Sequence, residues 1–514
     1  MASASTSKHS ILNFVRLRRS IQILFFAIFL ILFVLTDYRG KDEIPLAVNT
    51  FFRLDPLVMV SYVFSAKTFT IVLLPAALVL AATMLFGRFF CGWFCPLGTA
   101  LDLATKRIPK IARFPRLIRG NARYYVLLTL LFAALFNINI AGLLDPLAIF
   151  LRFLTFLLYP VFGDTVRQGW ITLYRVLGDN RDYLDGGYRL FRDYVLPFRQ
   201  TFYPLAFLSL IIFIGIFILE LFGRRTWCRG LCPLGSLLSL AARFSLLKRL
   251  PNRFCTDCSD CESVCPAFPP DDGVLAQHDC LRCLSCLSNC KNRRPRFRFR
   301  PLSNPLKRPF SQERRVLVGG LASGFLLSRV FAFSPPSQTL LRPPGVTDEW
   351  DFLRKCVRCG ECMKVCPRNA LYPVGIAGGL YNLYTPMLVP RLGYCEYNCN
   401  LCSQVCPTRA IPRLPLSEKH KAVIGRAVVD RDLCLPYAKK TPCLVCEEHC
   451  PIPEKAIKLQ GSEETDGTGR RIVLDRPVVD EQLCNGCGIC EYVCPLEEKA
   501  AIRVYPLRSR GSQG

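Results

Sequence analysis

Six runs of four cysteines account for 24 of the 28 in the chain. Cys255, Cys258, Cys261 and Cys265 follow the spacing C-x2-C-x2-C-x3-C and precede a proline. Cys280, Cys283, Cys286 and Cys290 repeat it, with Lys291 where the proline stood. Towards the C-terminus come two further compact runs, Cys356, Cys359, Cys362, Cys366 and Cys484, Cys487, Cys490, Cys494. Two more have a stretched first spacing: Cys395, Cys399, Cys402, Cys406 and Cys434, Cys443, Cys446, Cys450. Three closely spaced thiolates suit three corners of a four-iron cubane, and a fourth from elsewhere closes it. Soft sulfur ligands suit iron, whereas zinc sites use two separated pairs and disulfides do not explain six near-identical runs. The reading is six 4Fe-4S clusters.

In two-cluster proteins of this spacing the fourth cysteine serves the neighbouring cluster. Cys255, Cys258 and Cys261 are therefore expected to take Cys290, and Cys280, Cys283 and Cys286 to take Cys265. In the C-terminal part, similarity of first spacing pairs the first run with the fourth and the second with the third.

The other four cysteines stand apart. Cys91/Cys95 and Cys228/Cys232 lie in "CGWFCPLGTALDL" and "CRGLCPLGSLLSL". On helical backbone a C-x3-C spacing puts two thiols one turn apart on one face. Two such pairs offer a further metal or cluster site; the alternatives are a redox dithiol and inert buried thiols.

These motifs need elements to hold them. Apolar runs at 21–36, 68–86, 124–144, 202–222 and 316–333 approach the length that spans a bilayer. The run at 147–163 contains Arg152 and Pro160 and is read as interfacial or re-entrant. The formal charge is +27, and the excess lies with the apolar segments: residues 334–514 carry 24 basic and 20 acidic residues. Residues 87–123 carry eight Lys+Arg against one acid, while 37–67 carry four of each. This asymmetry is the positive-inside pattern, not a nucleic-acid face. It puts the N-terminus and 87–123 in the cytoplasm.

An internal repeat runs through the first 250 residues. "LDPL" occurs at 54–57 and at 144–147, and each copy is followed by an apolar run, Gly-Arg and the C-x3-C-P motif. The expected fold is a polytopic α-helical membrane protein, two repeated two-span halves plus a fifth span, carrying α+β bacterial-ferredoxin-like 4Fe-4S domains. The domains are a four-span part at 1–250, a cytoplasmic two-cluster part at 251–300, a basic linker and fifth span at 301–340, and a four-cluster domain at 341–514.

Asp55 and Asp145 precede the prolines of the two LDPL motifs. They read as helix caps, and otherwise as catalytic proton acceptors for a quinol. The histidines are His9, His278, His420 and His449, too few in the spans for a membrane haem, and C-x2-C-H is absent. His449, beside Cys450, reads as a surface residue. No nucleophile triad, P-loop or glycine-rich nucleotide fingerprint occurs.

The first 300 residues resemble NapH/MauN-type membrane ferredoxins, with related modules in the NosR family. From about residue 311 the chain resembles NapG/MauM-type four-cluster ferredoxins, which are exported folded to the periplasm by the twin-arginine route. "SQERRVLVGGLASGFLL", residues 311–327, places Arg314 and Arg315 ahead of an apolar segment, as such a signal does. The resemblance implies a fusion of the two, multi-pass in a bacterial inner membrane, with a periplasmic C-terminal domain. It implies an iron–sulfur quinol dehydrogenase or relay that takes electrons from the quinone pool to a periplasmic cytochrome or reductase. Two alternatives are an accessory factor for maturing or reactivating a periplasmic metalloenzyme, and a subunit of a larger complex fed by a cytoplasmic donor. The quinone region is expected within 147–200.

Overall fold

The computed structural model describes residues 2–104, 122–177, 182–198, 201–250, 264–267, 277–290, 295–299, 311–332, 340–465 and 471–507. The chain divides into two compact units, one of Met1–Leu35, Val48–Leu154 and Ala206–Phe333, the other of Thr36–Ala47, Thr155–Leu205 and Ser334–Gly514.

The first unit is helical, and the sequence repeat is visible in its backbone. In one half Asn49–Arg53 is followed by Asp55 and the helix Pro56–Ala66; in the other Ala141–Leu144 is followed by Asp145 and the helix Pro146–Phe153. Proline is preorganised for a first helical position, where its missing N–H costs nothing, and an aspartate before it caps the exposed amides. Asp55 Oδ1 accepts from Leu57 N at 2.7 Å and Asp145 Oδ2 from Ala148 N at 2.8 Å. Each half then carries an apolar helix, Leu74–Phe86 or Ala206–Leu219, and a short helix bearing the first cysteine, Phe89–Trp93 or Thr226–Gly230. A helix opened by the Cys-Pro step closes each half, Pro96–Ala104 or Pro233–Ala242.

The expected spans are only partly matched in length. Phe14–Leu35, 22 residues at a mean hydropathy of 2.1, is long and apolar enough to cross a membrane. The expected spans at 68–86, 124–144, 202–222 and 316–333 are shorter apolar helices, Ile71–Phe86, Ala122–Leu135, Ala206–Phe222 and Val316–Val330. Conversely, the run at 147–163, expected to lie at an interface, belongs to the second long apolar helix among the described residues, Pro146–Val176. The two features that argued for an interfacial or re-entrant segment are accommodated within this helix. Arg152 is buried and its Nη2 donates to Leu143 O at 3.0 Å. Pro160 follows a π turn at Leu154–Leu158, a wider turn that absorbs a break in the ordinary hydrogen-bond ladder.

Helix Ser311–Ala332 packs along Ala122–Leu135 through small residues. A Cβ on Gly320 would stand 2.6 Å from Leu128 Cβ, and one on Gly324 2.6 Å from Phe132 Cβ. Thr129 Oγ1 and Ser323 Oγ are hydrogen-bonded at 2.5 Å. Close backbone approach over glycine with a hydroxyl pair beside it is a mode of helix packing suited to an apolar surrounding.

The second unit is built around the C-terminal cysteine runs, with small antiparallel pairings at Leu371–Pro373/Pro386–Leu388 and Arg426–Val429/Ile502–Tyr505. A longer hairpin, Ile457–Thr465 with Arg471–Val479, was not anticipated from sequence. Thr36–Ala47 and Thr155–Leu205 fold into this unit. Ala47 joins Val365, Leu401 and Val405 in one core, and Ile44 N donates to Gln404 Oε1 at 3.2 Å. Tyr159 OH donates to Asp37 Oδ2 at 2.9 Å, with the Lys364 ammonium 4.0 Å from the same carboxylate and 4.5 Å over the Tyr159 ring.

Candidate iron–sulfur sites

The C-x2-C-x3-C spacing that ends each described run becomes geometry in the same way. The third cysteine sits on a helix of about one turn: Cys286 on Ser285–Asn289, Cys362 on Glu361–Lys364, Cys402 on Leu401–Val405, Cys446 on Val445–Glu448 and Cys490 on Ile489–Val493. Continued helix would leave the fourth cysteine one turn on, facing the same way. Proline after it prevents that, because the residue before a proline is pushed out of the helical region. Cys406 has ψ 113° and Cys494 ψ 125°, so the chain swings outward and the fourth thiol lies with the cysteines of another run. Cys290 is extended too (ψ 119°), although Lys291 follows it.

The fourth thiols also receive backbone N–H groups. Cys366 Sγ accepts from Ala370 N at 3.3 Å, Cys406 Sγ from Ile411 N at 3.4 Å and Cys494 Sγ from Ala501 N at 3.4 Å. Between the first two cysteines of a run the chain turns through the left-handed region, at Arg282 (φ 53°), Arg358 (φ 55°) and Gly486 (φ 73°). Such turns aim successive amides inward and favour an anionic group.

The pairing of runs in the C-terminal part differs from the expectation. Cys356, Cys359 and Cys362 have Cys406 as their neighbour, and Cys395, Cys399 and Cys402 have Cys366. Cys434, Cys443 and Cys446 share a cavity with Cys494, and Cys484, Cys487 and Cys490 share one with Cys450. The first run therefore pairs with the second and the third with the fourth. A stretched first spacing is a loop insertion that leaves the exchanged fourth cysteine untouched, so it says nothing about partnership; runs adjacent in sequence close the shorter loop. A backbone hydrogen bond, Cys395 N to Cys487 O at 2.8 Å, connects the two pairs.

Burial pushes these thiols upward, Cys406 to about 11 and Cys399 and Cys446 to about 12. A dry group of thiols at neutral pH stays protonated unless a cation draws the protons off, and cluster iron does that. The cysteine sets fit 4Fe-4S clusters. Such a cluster supplies one-electron transfer, and the polypeptide sets its potential through amide donors, burial and nearby charge. Lys419, hydrogen-bonded to Glu396 O and Tyr397 O, is one such charge beside Cys395.

In the first unit Cys265 lies among Cys280, Cys283 and Cys286, the set expected from the exchange rule. Cys255, Cys258 and Cys261 lie outside the described residues. Cys91, Cys95, Cys228 and Cys232 are brought together and buried. Arg88 and Arg225, three residues before the first cysteine of each pair, were not singled out as functional from sequence, although the repeated Gly-Arg was a signal for Arg88. His449 Nδ1 stands 2.9 Å from Val445 O.

Comparison with known proteins agrees with this geometry. A 4Fe-4S dicluster domain matches residues 441–497, and a 4Fe-4S binding domain matches 353–372. Another family model, also described as a 4Fe-4S binding domain, matches twice, at 68–115 and 205–253. The methylamine utilization ferredoxin-type protein MauM of Methylorubrum extorquens is 38% identical over 212 residues, 39% of this chain and 92% of that protein. MauM of Methylobacillus flagellatus is 38% identical over 199 residues, 38% of this chain and 80% of its own length. The ferredoxin-type protein NapG of Escherichia coli is 37% identical over 204 residues, 39% of this chain and 86% of its own. The chain belongs to the MauM/NapG family of ferredoxin-type proteins. Each of these matches leaves about three-fifths of the chain uncovered. No solved structure matches. As a member of that family with 4Fe-4S domains, it is an iron–sulfur electron-transfer protein.

Proposed function

We propose that this chain is an iron–sulfur quinol dehydrogenase relay that moves electrons from the membrane quinone pool through the C-terminal clusters to a periplasmic redox acceptor. The N-terminal part then acts as a NapH-like membrane ferredoxin fused to a NapG-like partner. The observation that carries the reading lies within the second unit. Thr36–Ala47 and Thr155–Leu205, which continue directly from apolar helices, pack against the run that holds Cys362 and Cys366. Tyr203 OH donates to Met363 O at 3.3 Å, and Tyr203 stands beside Tyr372 and Cys366. Electrons released at the membrane surface then have an entry at the clusters sharing Cys366 and Cys362. From there the Cys395–Cys487 contact leads to the second pair of clusters.

Charge supports the same placement. Residues 37–67, balanced in sign, fall on the side assigned to the periplasm, and part of that stretch is in the unit that holds the C-terminal clusters. A bilayer core about 30 Å thick separates the two cluster sets in this reading, too far for one electron hop, and a diffusing quinol replaces the crossing.

The test uses the full chain, loaded with clusters, in proteoliposomes. Addition of a quinol is expected to reduce the C-terminal clusters, seen by electron paramagnetic resonance, and Cys395→Ser is expected to interrupt passage to an added cytochrome. Clusters that stay oxidised with quinol but are reduced by a low-potential donor on the opposite face overturn the reading.

A further inference from the structure

The two Cys-x3-Cys-Pro motifs are matched separately by a 4Fe-4S family model, yet each contains only two cysteines, half of what such a cluster needs. The fold supplies the other half. Cys91, Cys95, Cys228 and Cys232 are 7%, 6%, 8% and 3% exposed, and each of the four is a neighbour of the other three. Among the described residues no three His, Cys, Asp or Glu side chains gather tightly enough for a single metal ion.

The surroundings are built symmetrically. Cys95 Sγ accepts from Gly98 N at 3.5 Å, and Cys232 Sγ accepts from Gly235 N at 3.3 Å. Arg225, beside the second pair, crosses to the first, donating to Gly98 O at 3.1 Å and to Cys91 O. Arg88, beside the first pair, crosses to the second: a Cβ on Gly235 would lie 2.9 Å from its Nη2 and 2.9 Å from Cys228 O. At Gly235 the opposite arginine fills the room of a side chain, and at Gly98 a Cβ would be tightly placed, 3.2 Å from Cys91 O and 3.3 Å from Arg225 Nη2. Both guanidinium groups are almost wholly buried, Arg88 at 2% and Arg225 at 1%. Each is also ion-paired, Arg88 with Asp279 at 3.3 Å and Arg225 with Asp102 at 2.8 Å, so the thiol group is bordered by fixed, partly neutralised guanidinium groups that can face an anionic cluster.

We infer that Cys91, Cys95, Cys228 and Cys232 together hold one iron–sulfur cluster, shared between the two repeats and flanked by Arg88 and Arg225. It adjoins the cluster of the Cys280 run. Gly92, inside the first pair, lets Leu281 O approach to 2.4 Å of where a Cβ would stand, and Trp93 Nε1 donates to Arg282 O at 3.1 Å. Leu281 and Arg282 lie between Cys280 and Cys283, so one layer of backbone separates the two sites.

The inference rests on the iron–sulfur reading of the six runs, and iron counting separates the two. Full chain reconstituted anaerobically is expected to hold about 28 iron atoms and as many acid-labile sulfides, four for each of seven clusters. A reproducible 24 with no zinc overturns the shared site while leaving the six runs intact; a value near eight sinks both. Cys91→Ser and Cys228→Ser are each expected to lower the count by about four, and the double variant by no more than either alone. Losses that add, or one zinc per chain released by the variants, overturn the shared cluster. Where a variant does not fold, the count and the Mössbauer spectrum of the unaltered chain decide by themselves.

Discussion

Asp55 and Asp145, the acidic residues of the two Leu-Asp-Pro-Leu motifs, are neighbours in the interior, both shut away from solvent at 0% and 1% exposure. Each uses one oxygen to cap its own helix, at Leu57 N and Ala148 N. The oxygens left over are Asp55 Oδ2 and Asp145 Oδ1. Two carboxyls so close and so dry disfavour double ionisation, so the pair is expected to hold one proton between the repeats.

This arrangement fixes how substitutions combine. Asp55→Asn keeps an acceptor for Leu57 N and gains a donor towards Asp145, and is expected to cost little. Asp55→Ala loses the cap, about 1 kcal/mol, and strands a buried oxygen, a further 1–3 kcal/mol or so. The double change to Ala at 55 and 145 is expected to cost less than the sum of the singles, by roughly 0.5 kcal/mol or more. Thermal unfolding of the four proteins in one detergent measures this, and strict additivity contradicts the contact.

The exchange of fourth cysteines can be read out one cluster at a time. Cys366→Ser is expected to damage the cluster of Cys395, Cys399 and Cys402 and to leave that of Cys356, Cys359 and Cys362 in place. Cys366→Ser combined with Cys395→Ser should give the same spectrum as either alone. Combined with Cys356→Ser, two separate signals should be missing. Loss of the Cys356 cluster in the single Cys366→Ser protein would mean that each run serves itself.

Cysteine spacing made the grouping of each run and the place of Cys265 beside Cys280, Cys283 and Cys286 legible, because closely spaced thiols leave the backbone little choice. Partnership between runs was not legible. It depends on which loops close, and the extra residues between Cys434 and Cys443 carry no trace of that. The repeat announced the pairing of Cys91 with Cys228, but the crossing of Arg88 and Arg225 is a property of two halves packed together. Arg152 and Pro160, read as marks against a crossing, are both accommodated within one helix. Each weakens a helix judged alone, and each is compensated, by Leu143 O and by the π turn at Leu154–Leu158.

The glycines of residues 319–324 separate a packed helix from a mere apolar signal. Gly324→Val puts a side chain where Phe132 Cβ would already be 2.6 Å away, and is expected to destabilise by about 1–3 kcal/mol. Gly215, also on an apolar helix, has nothing within 4 Å of a Cβ, so Gly215→Ala is expected to be neutral or slightly stabilising. Unfolding in detergent compares them; equal effects would remove the helix 122–135 contact from the account.

The route taken by the C-terminal clusters turns on Arg314 and Arg315. A domain that folds round four clusters forms where thiols stay reduced, so reaching the periplasm requires an exporter of folded cargo, read through paired arginines. Replacing both with Lys keeps the charge and with it the positive-inside bias of the helix that follows. In the proposed reading the first four apolar segments insert as before, because they precede the pair, and the Cys280 run keeps its cluster signal. The C-terminal domain is expected to stay protected from protease added to spheroplasts, and quinol-dependent reduction of a periplasmic acceptor to be lost. A double Lys protein that still presents a loaded, protease-accessible C-terminal domain outside would make the arginines a charge anchor only, and would leave another route for the domain's crossing.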